Sequence, residues 1–205
     1  VLPPFAYGAA SHAVAGPEGT GTLDVDARTL APFAESLFAG LLAYLDRGQS
    51  SAARPLLEAL EGQQLIEETI YKKMGNPLAA CAAAYVGLSV YPATEREQWD
   101  TWLQNCMDRF PGVPDAAIVH ARRLILRPDN ASANSQAAAA LRSAMTAGPP
   151  YFSAGVTLLR EMLLLLSGDD PSLKPLAEEA AELSARVDPT QIFTVLRYAA
   201  PAGIL

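Results

Sequence analysis

Residues 112–126, Gly-Val-Pro-Asp-Ala-Ala-Ile-Val-His-Ala-Arg-Arg-Leu-Ile-Leu, decide how this chain is read. Pro114 stands where a helix opens, and the first backbone N–H of a helix has no intrahelical partner, so a proline there loses nothing. Behind it Ile118, Ala121, Leu124 and Ile125 return at helical steps and lie on one face. Further on, Ala133, Ala137, Ala140, Leu141 and Ala144 repeat that spacing with small side chains, which let two helix backbones approach closely. Helix, turn, helix is therefore the unit.

The same punctuation recurs on either side. Asn76-Pro77, Pro149-Pro150 and Asp188-Pro189 read as three more helix starts, so that the four junctions fall roughly 36 to 39 residues apart with two helical patterns in each interval. In the first interval the small-residue helix Leu78 to Leu88 faces a stripe of Trp99, Trp102, Leu103, Cys106 and Phe110. In the third, the apolar run Val156 to Leu166 is followed by Leu173, Leu176, Ala180, Leu183 and Val187, with Glu178, Glu179 and Glu182 on the outer face. That run contains Arg160 and Glu161 and is far shorter than the roughly 20 apolar residues of a spanning helix, so a buried core helix is expected. Ile192, Phe193, Leu196 and Tyr198 would cover the open end of the stack.

Upstream, Leu30, Phe33, Leu37, Leu41, Tyr44 and Leu45 predict a helix ending near Arg47. Ser51 then caps a segment running through Leu56, Leu57, Leu60, Leu65, Ile66, Ile70 and Met74 to Gly75, as one kinked helix or two short ones. Residues 1–27 differ in composition, with much Gly, Pro, Ala and Thr, and read as an irregular lead-in or the remnant of a preceding domain. Only Thr20 to Val25 alternates as a strand would. Residues 28–205 form the helical-repeat domain. Position 1 is Val, and the chain is read as an excised piece of a longer protein.

A period of two helices in about 34 to 40 residues is that of tetratricopeptide and related solenoids. With the small residues Ala83 to Tyr85 and the Asp188-Pro189 junction, residues 77–189 resemble a degenerate tetratricopeptide-like array. The resemblance implies an all-α fold, a short right-handed stack of antiparallel helix pairs, and a protein or peptide partner on its concave face. The full repeat consensus is absent from every interval, so no individual binding residue carries over. Phe110-Pro111-Gly112-Val113-Pro114-Asp115 and Gly148-Pro149-Pro150-Tyr151-Phe152 also resemble helical tails of large bacterial multidomain proteins.

Half of the 205 residues are apolar and the net charge is −7, enough to bury a core and the wrong sign for nucleic-acid backbones. Cys81 and Cys106 lie within apolar stretches, as buried free thiols do, which points to a reducing, cytoplasmic setting. With no apolar leader and no spanning helix, no membrane role is expected.

Chemistry is sparse. Two histidines, His12 and His120, and two cysteines are scattered without zinc-ligand spacing, so no metal or cofactor is expected. Cys106 and His120 could meet across the Pro111 to Pro114 turn as a nucleophile pair, although a core thiol is the simpler reading. The carboxylate groups Glu58 and Glu61, Glu67 and Glu68, and Glu178, Glu179 and Glu182 sit on polar helix faces. The Gly16 to Gly21 run lacks the flanks of a phosphate cradle, and the sequon Asn130-Ala131-Ser132 matters only after secretion. Arg109, Arg122, Arg123 and Arg127 concentrate positive charge in an acidic chain, and Arg122, Arg123 and Arg127 become candidates for holding an acidic peptide, with Trp99 as a candidate anchor. The expected role is a non-catalytic interaction or scaffold domain of a larger protein, binding a protein, a peptide or another domain of its own chain. The alternatives are a helical support for a catalytic domain and an enzyme with a Cys/His site. The apolar residues 199–205 could cap their own stack or dock on a second copy.

Overall fold

A computed structural model describes residues 13–15, 20–23, 65–71, 73–91, 95–127 and 132–199. Its fold class is all-α, with seven α-helices among the described residues: α1 Leu65–Tyr71, α2 Pro77–Val90, α3 Gln98–Arg109, α4 Pro114–Ile125, α5 Ala133–Ala147, α6 Ser153–Leu166 and α7 Lys174–Arg186. A 3₁₀ turn, Pro171–Leu173, leads into α7. Short strands β1 Ala13–Ala15, β2 Thr20–Leu23 and β3 Arg197–Ala199 form an antiparallel sheet in that order, so the alternating Thr20 run is extended as expected and pairs with the far end of the chain. The helix expected over 29–47 and the segment from Ser51 to Gln64 lie outside the described residues, as do 200–205.

Two proline junctions open helices as the sequence suggests. Pro77 is the first residue of α2, and the Asn76 side chain accepts the Ala79 N–H at 3.0 Å, which satisfies a donor that has no partner within the helix. Pro114 likewise begins α4. The other two differ. Pro150 lies three residues ahead of α6, in an extended approach whose Phe152 bridges Phe193. Pro189 starts no helix: Asp188 accepts from Thr190 N at 3.0 Å, Thr190 Oγ1 at 2.7 Å and Arg197 at 2.6 Å, closing a turn that sends the chain back beside α6. There Ser153 N–H donates to the Ile192 carbonyl, Thr194 N–H donates to Tyr151, and the Phe152 and Phe193 rings lie 5.5 Å apart.

Helix α4 sits at the centre, packed against α2, α3, α5 and α6; α1 rests on α2 and α3, and α6 takes α5 on one side and α7 on another. The core is built from small residues, Ala82, Ala83, Ala84, Ala116, Ala117, Ala121 and Ala137 among them, each nearly or wholly buried. Close packing of this kind leaves no slack: a Cβ at Gly87 would lie 2.3 Å from the Trp99 ring, so the glycine of α2 is the seat of the tryptophan of α3. The apolar run on α6 is buried on one face only. Val156, Leu159, Met162, Leu163 and Leu166 point inward, whereas Leu164 and Leu165 are 66% and 61% exposed, so the helix is amphipathic and not enclosed on all sides.

Candidate functional site

Two polar clusters punctuate this apolar core, and both belong to α4. Asp115, in its first turn, is wholly buried. Its carboxylate accepts from the Tyr85 hydroxyl of α2 at 2.8 Å and from the backbone N–H groups of Tyr151 at 2.7 Å and Phe152 at 3.4 Å, ahead of α6. Burial pushes its pKa up to about 6, against the downward pull of those donors, and the same burial, with Asp115 beside it, raises the Tyr85 phenol well above its ordinary value. Gly155 makes room, since a Cβ there would stand 2.6 Å from the Tyr85 hydroxyl and 2.7 Å from Asp115 Oδ1. Every acceptor is used and none faces solvent, so this cluster pins α2, α4 and α6 together.

The second cluster lies toward the other end of α4. Arg123 is 2% exposed; its Nε donates to Asp100 Oδ1 at 2.6 Å and its Nη2 donates to the carbonyls of Glu95 at 2.9 Å and Arg96 at 3.1 Å. Arg127 pairs with the other oxygen of Asp100. Arg96 holds the left-handed backbone conformation (φ 61°), which a non-glycine residue adopts at a cost; its guanidinium pairs with Glu67 at 2.9 Å and lies 4.7 Å from the centre of the Tyr91 ring. These contacts fasten the approach to α3 onto α4.

Beside them opens a groove of about 710 Å³, walled by Asp100, Gln104 and Met107 of α3 and by Gln136, Ala139, Ala140 and Ser143 of α5, with His120, Leu124 and Arg127 along its floor. His120 is 7% exposed, and its buried Nδ1 has no hydrogen-bond partner among the described residues. Burial lowers its pKa, with Asp108 pulling the other way, so the imidazole is neutral at pH 7. A proton on Nδ1 would be a buried donor without an acceptor, so the proton belongs on Nε2.

The candidate binding residues are thus dispersed. Arg127 reaches the groove, Arg122 is half-buried outside its lining, Arg123 is consumed internally, and Trp99 is fully buried with its ring edge-on to Tyr91 at 5.6 Å. Arg109 is exposed near the end of α3. Cys106 does not line the groove with His120; it is a free thiol buried in the core, as is Cys81. Glu178, Glu179 and Glu182 are exposed, Glu182 pairing with Arg186. His12, Glu58, Glu61, most of the Gly16 to Gly21 run and Asn130 lie outside the described residues. Among the described residues no group of three metal-ligating side chains forms, and no helix is long and apolar enough to cross a membrane. Sequence reasoning missed Asp115, whose partners lie some 30 residues away on both sides, and the groove, although a single imidazole between Val119 and Ala121 on a largely buried helix was a visible signal.

Residues 40–202 match the family described as the Y4kD C-terminal domain, and the chain belongs to that family. No curated protein and no solved structure matches it.

Proposed function

We propose that this Y4kD C-terminal domain is a non-catalytic helical-repeat interaction domain, holding a peptide segment of a partner or of another domain of its own chain in the groove between α3 and α5. The observation that carries the reading is His120: a nearly buried, neutral imidazole on the floor of a groove of about 710 Å³, its Nδ1 unsatisfied among the described residues. Unpaired buried polar groups are expensive and rare, and each one calls for an explanation. Gln104 of α3 and Gln136 of α5 both line the groove, and a primary amide carries donor and acceptor together, the pairing that a peptide group complements; one Gln136 N–H is taken by Ser132 Oγ at 2.9 Å. Met107, Leu124 and Ala140 supply the apolar remainder.

The order of helix neighbours supports a tetratricopeptide-like stack, for which a right-handed superhelix is proposed. Helices α2, α4 and α6 succeed one another in a row, and α4 and α6 each also pack against the second helix of the preceding pair, α3 and α5. The family's description as a C-terminal domain supports a module carried by a larger protein.

Selection of short random peptides displayed on phage against the intact chain tests this. Enriched peptides should bind the unaltered protein, lose at least about tenfold in affinity on His120→Leu or Gln136→Ala, and keep their affinity on Leu165→Lys, far from the groove. No enrichment, or binding indifferent to both groove substitutions, would refute the reading.

A further inference from the structure

Each of the three helices around the groove contributes one stripe about two turns long: Asp100 to Met107 on α3, His120 to Arg127 on α4 and Gln136 to Ser143 on α5. At 1.5 Å of rise per residue the trough is about 10 Å long, the reach of about three residues of extended chain. Its two ends differ. The ion pair of Asp100 with Arg127 joins the start of α3 to the end of α4, so charge sits at one end and His120 lies two turns along α4 toward the other. The charges that line the trough thus offset each other, and the second Asp100 oxygen is held by Arg123 at 2.6 Å. What remains to be met is hydrogen bonding. Gln104 and Ser143 line the walls, Gln136 keeps its amide oxygen and one N–H, and His120 Nδ1 is an acceptor without a donor among the described residues.

We propose that the groove holds its partner as an extended, uncharged stretch of about three residues, read mainly through its backbone, with one main-chain N–H donating to His120 Nδ1. This rests on the interaction reading and adds the conformation and chemistry of the partner. A helical occupant fits less well on two counts. Its interior N–H groups are spent on its own carbonyls, so it has no main-chain donor to give His120. Its apolar face would find only Met107, Leu124, Ala139 and Ala140 among a mostly polar lining. An extended strand keeps an N–H and a C=O free at every residue, and the small side chains of Ala139 and Ala140 let its backbone come down to the floor. The arginines near the groove therefore do not require an acidic peptide.

The test uses the full chain and synthetic copies of phage-selected peptides whose binding is lost on Gln136→Ala, an exposed position, and which therefore occupy the groove. Bound to the unaltered protein, a ¹³C-labelled peptide should show Cα resonances shifted in the direction of a strand over about three consecutive residues. Methylating the backbone nitrogen of one of those residues should weaken binding about tenfold to the unaltered protein but no more than about twofold to His120→Leu, where the acceptor is already gone. Raising salt from about 0.05 M to about 0.5 M should change affinity by less than about twofold. Helical shifts, tolerance of N-methylation at every position, equal losses against His120→Leu or a tenfold fall with salt would each overturn this proposal and leave the groove a peptide site. No enriched peptide at all would remove both readings. The bound-state shifts require only the unaltered protein and decide the conformation even if His120→Leu fails to fold.

Discussion

The two ends of α4 handle buried charge and polarity in different ways. In the first turn, Asp115 is enclosed with three donors aimed at it and no route to solvent. In the later turns, Arg123 is enclosed with Asp100 and two carbonyls, yet His120 between the two has an unsatisfied nitrogen among the described residues and a groove in front of it. A satisfied buried network reads as architecture, because its groups have nothing left to offer a ligand. An unsatisfied one beside a groove is what the proposed binding role rests on. One helix thus carries both.

Breaking the closed end should have the largest effect. Asp115→Ala leaves the Tyr85 hydroxyl and two backbone N–H groups buried without an acceptor and should lower unfolding stability by about 3 kcal/mol, read from urea midpoints at constant m-value. Equal stability of variant and parent would mean the network is not closed.

Acidification separates the two ends by sign. Asp115 has a folded pKa of about 6, above its ordinary 3.8, so the folded state binds its proton more readily and this group adds stability as pH falls from 7 toward 4, by at most about 3 kcal/mol. His120 is lowered from 6.5, so the unfolded state binds its proton more readily and this end loses stability as pH falls through 6.5. Urea titrations across that window should show a more negative response to acid in Asp115→Asn and a more positive one in His120→Gln; matching pH profiles of the two variants would erase the contrast.

Smaller effects follow at the open end. Arg123→Ala should cost about 2 kcal/mol, less than Asp115→Ala, because Asp100 is about a third exposed and retains Arg127. His120→Leu should change stability by no more than about 1 kcal/mol, since it removes a polar atom without a partner, while weakening any peptide selected for the groove. A thermal or urea loss well beyond that would make His120 a structural residue and close the distinction.

Legibility followed locality. Pro77 and Pro114 announced their helices because the reason, an N–H with no helical partner, is complete within a few residues. The stripe of Trp99, Leu103 and Cys106 was equally plain, and all three are buried. Pro189 misled because proline suits a turn as well as a helix start, and the choice was made by Thr190 and Arg197 gathering on Asp188. Leu164 and Leu165 misled because the five consecutive apolar residues 162–166 carry no period to show which side is covered. The arginines looked alike in sequence, yet Arg123 turned inward because Asp100 and the carbonyls before α3 stood where its guanidinium could meet them.

The amino-acid sequence by itself determined that this chain is helical, where α2 and α4 begin, and which faces carry apolar side chains, since periodicity and capping are properties of neighbouring residues. Only the tertiary structure decided that Asp115 is a pin and that His120 lies under a groove. Each of those depends on side chains brought together from different helices, where burial strengthens every polar contact that is made and penalises each one that is missing.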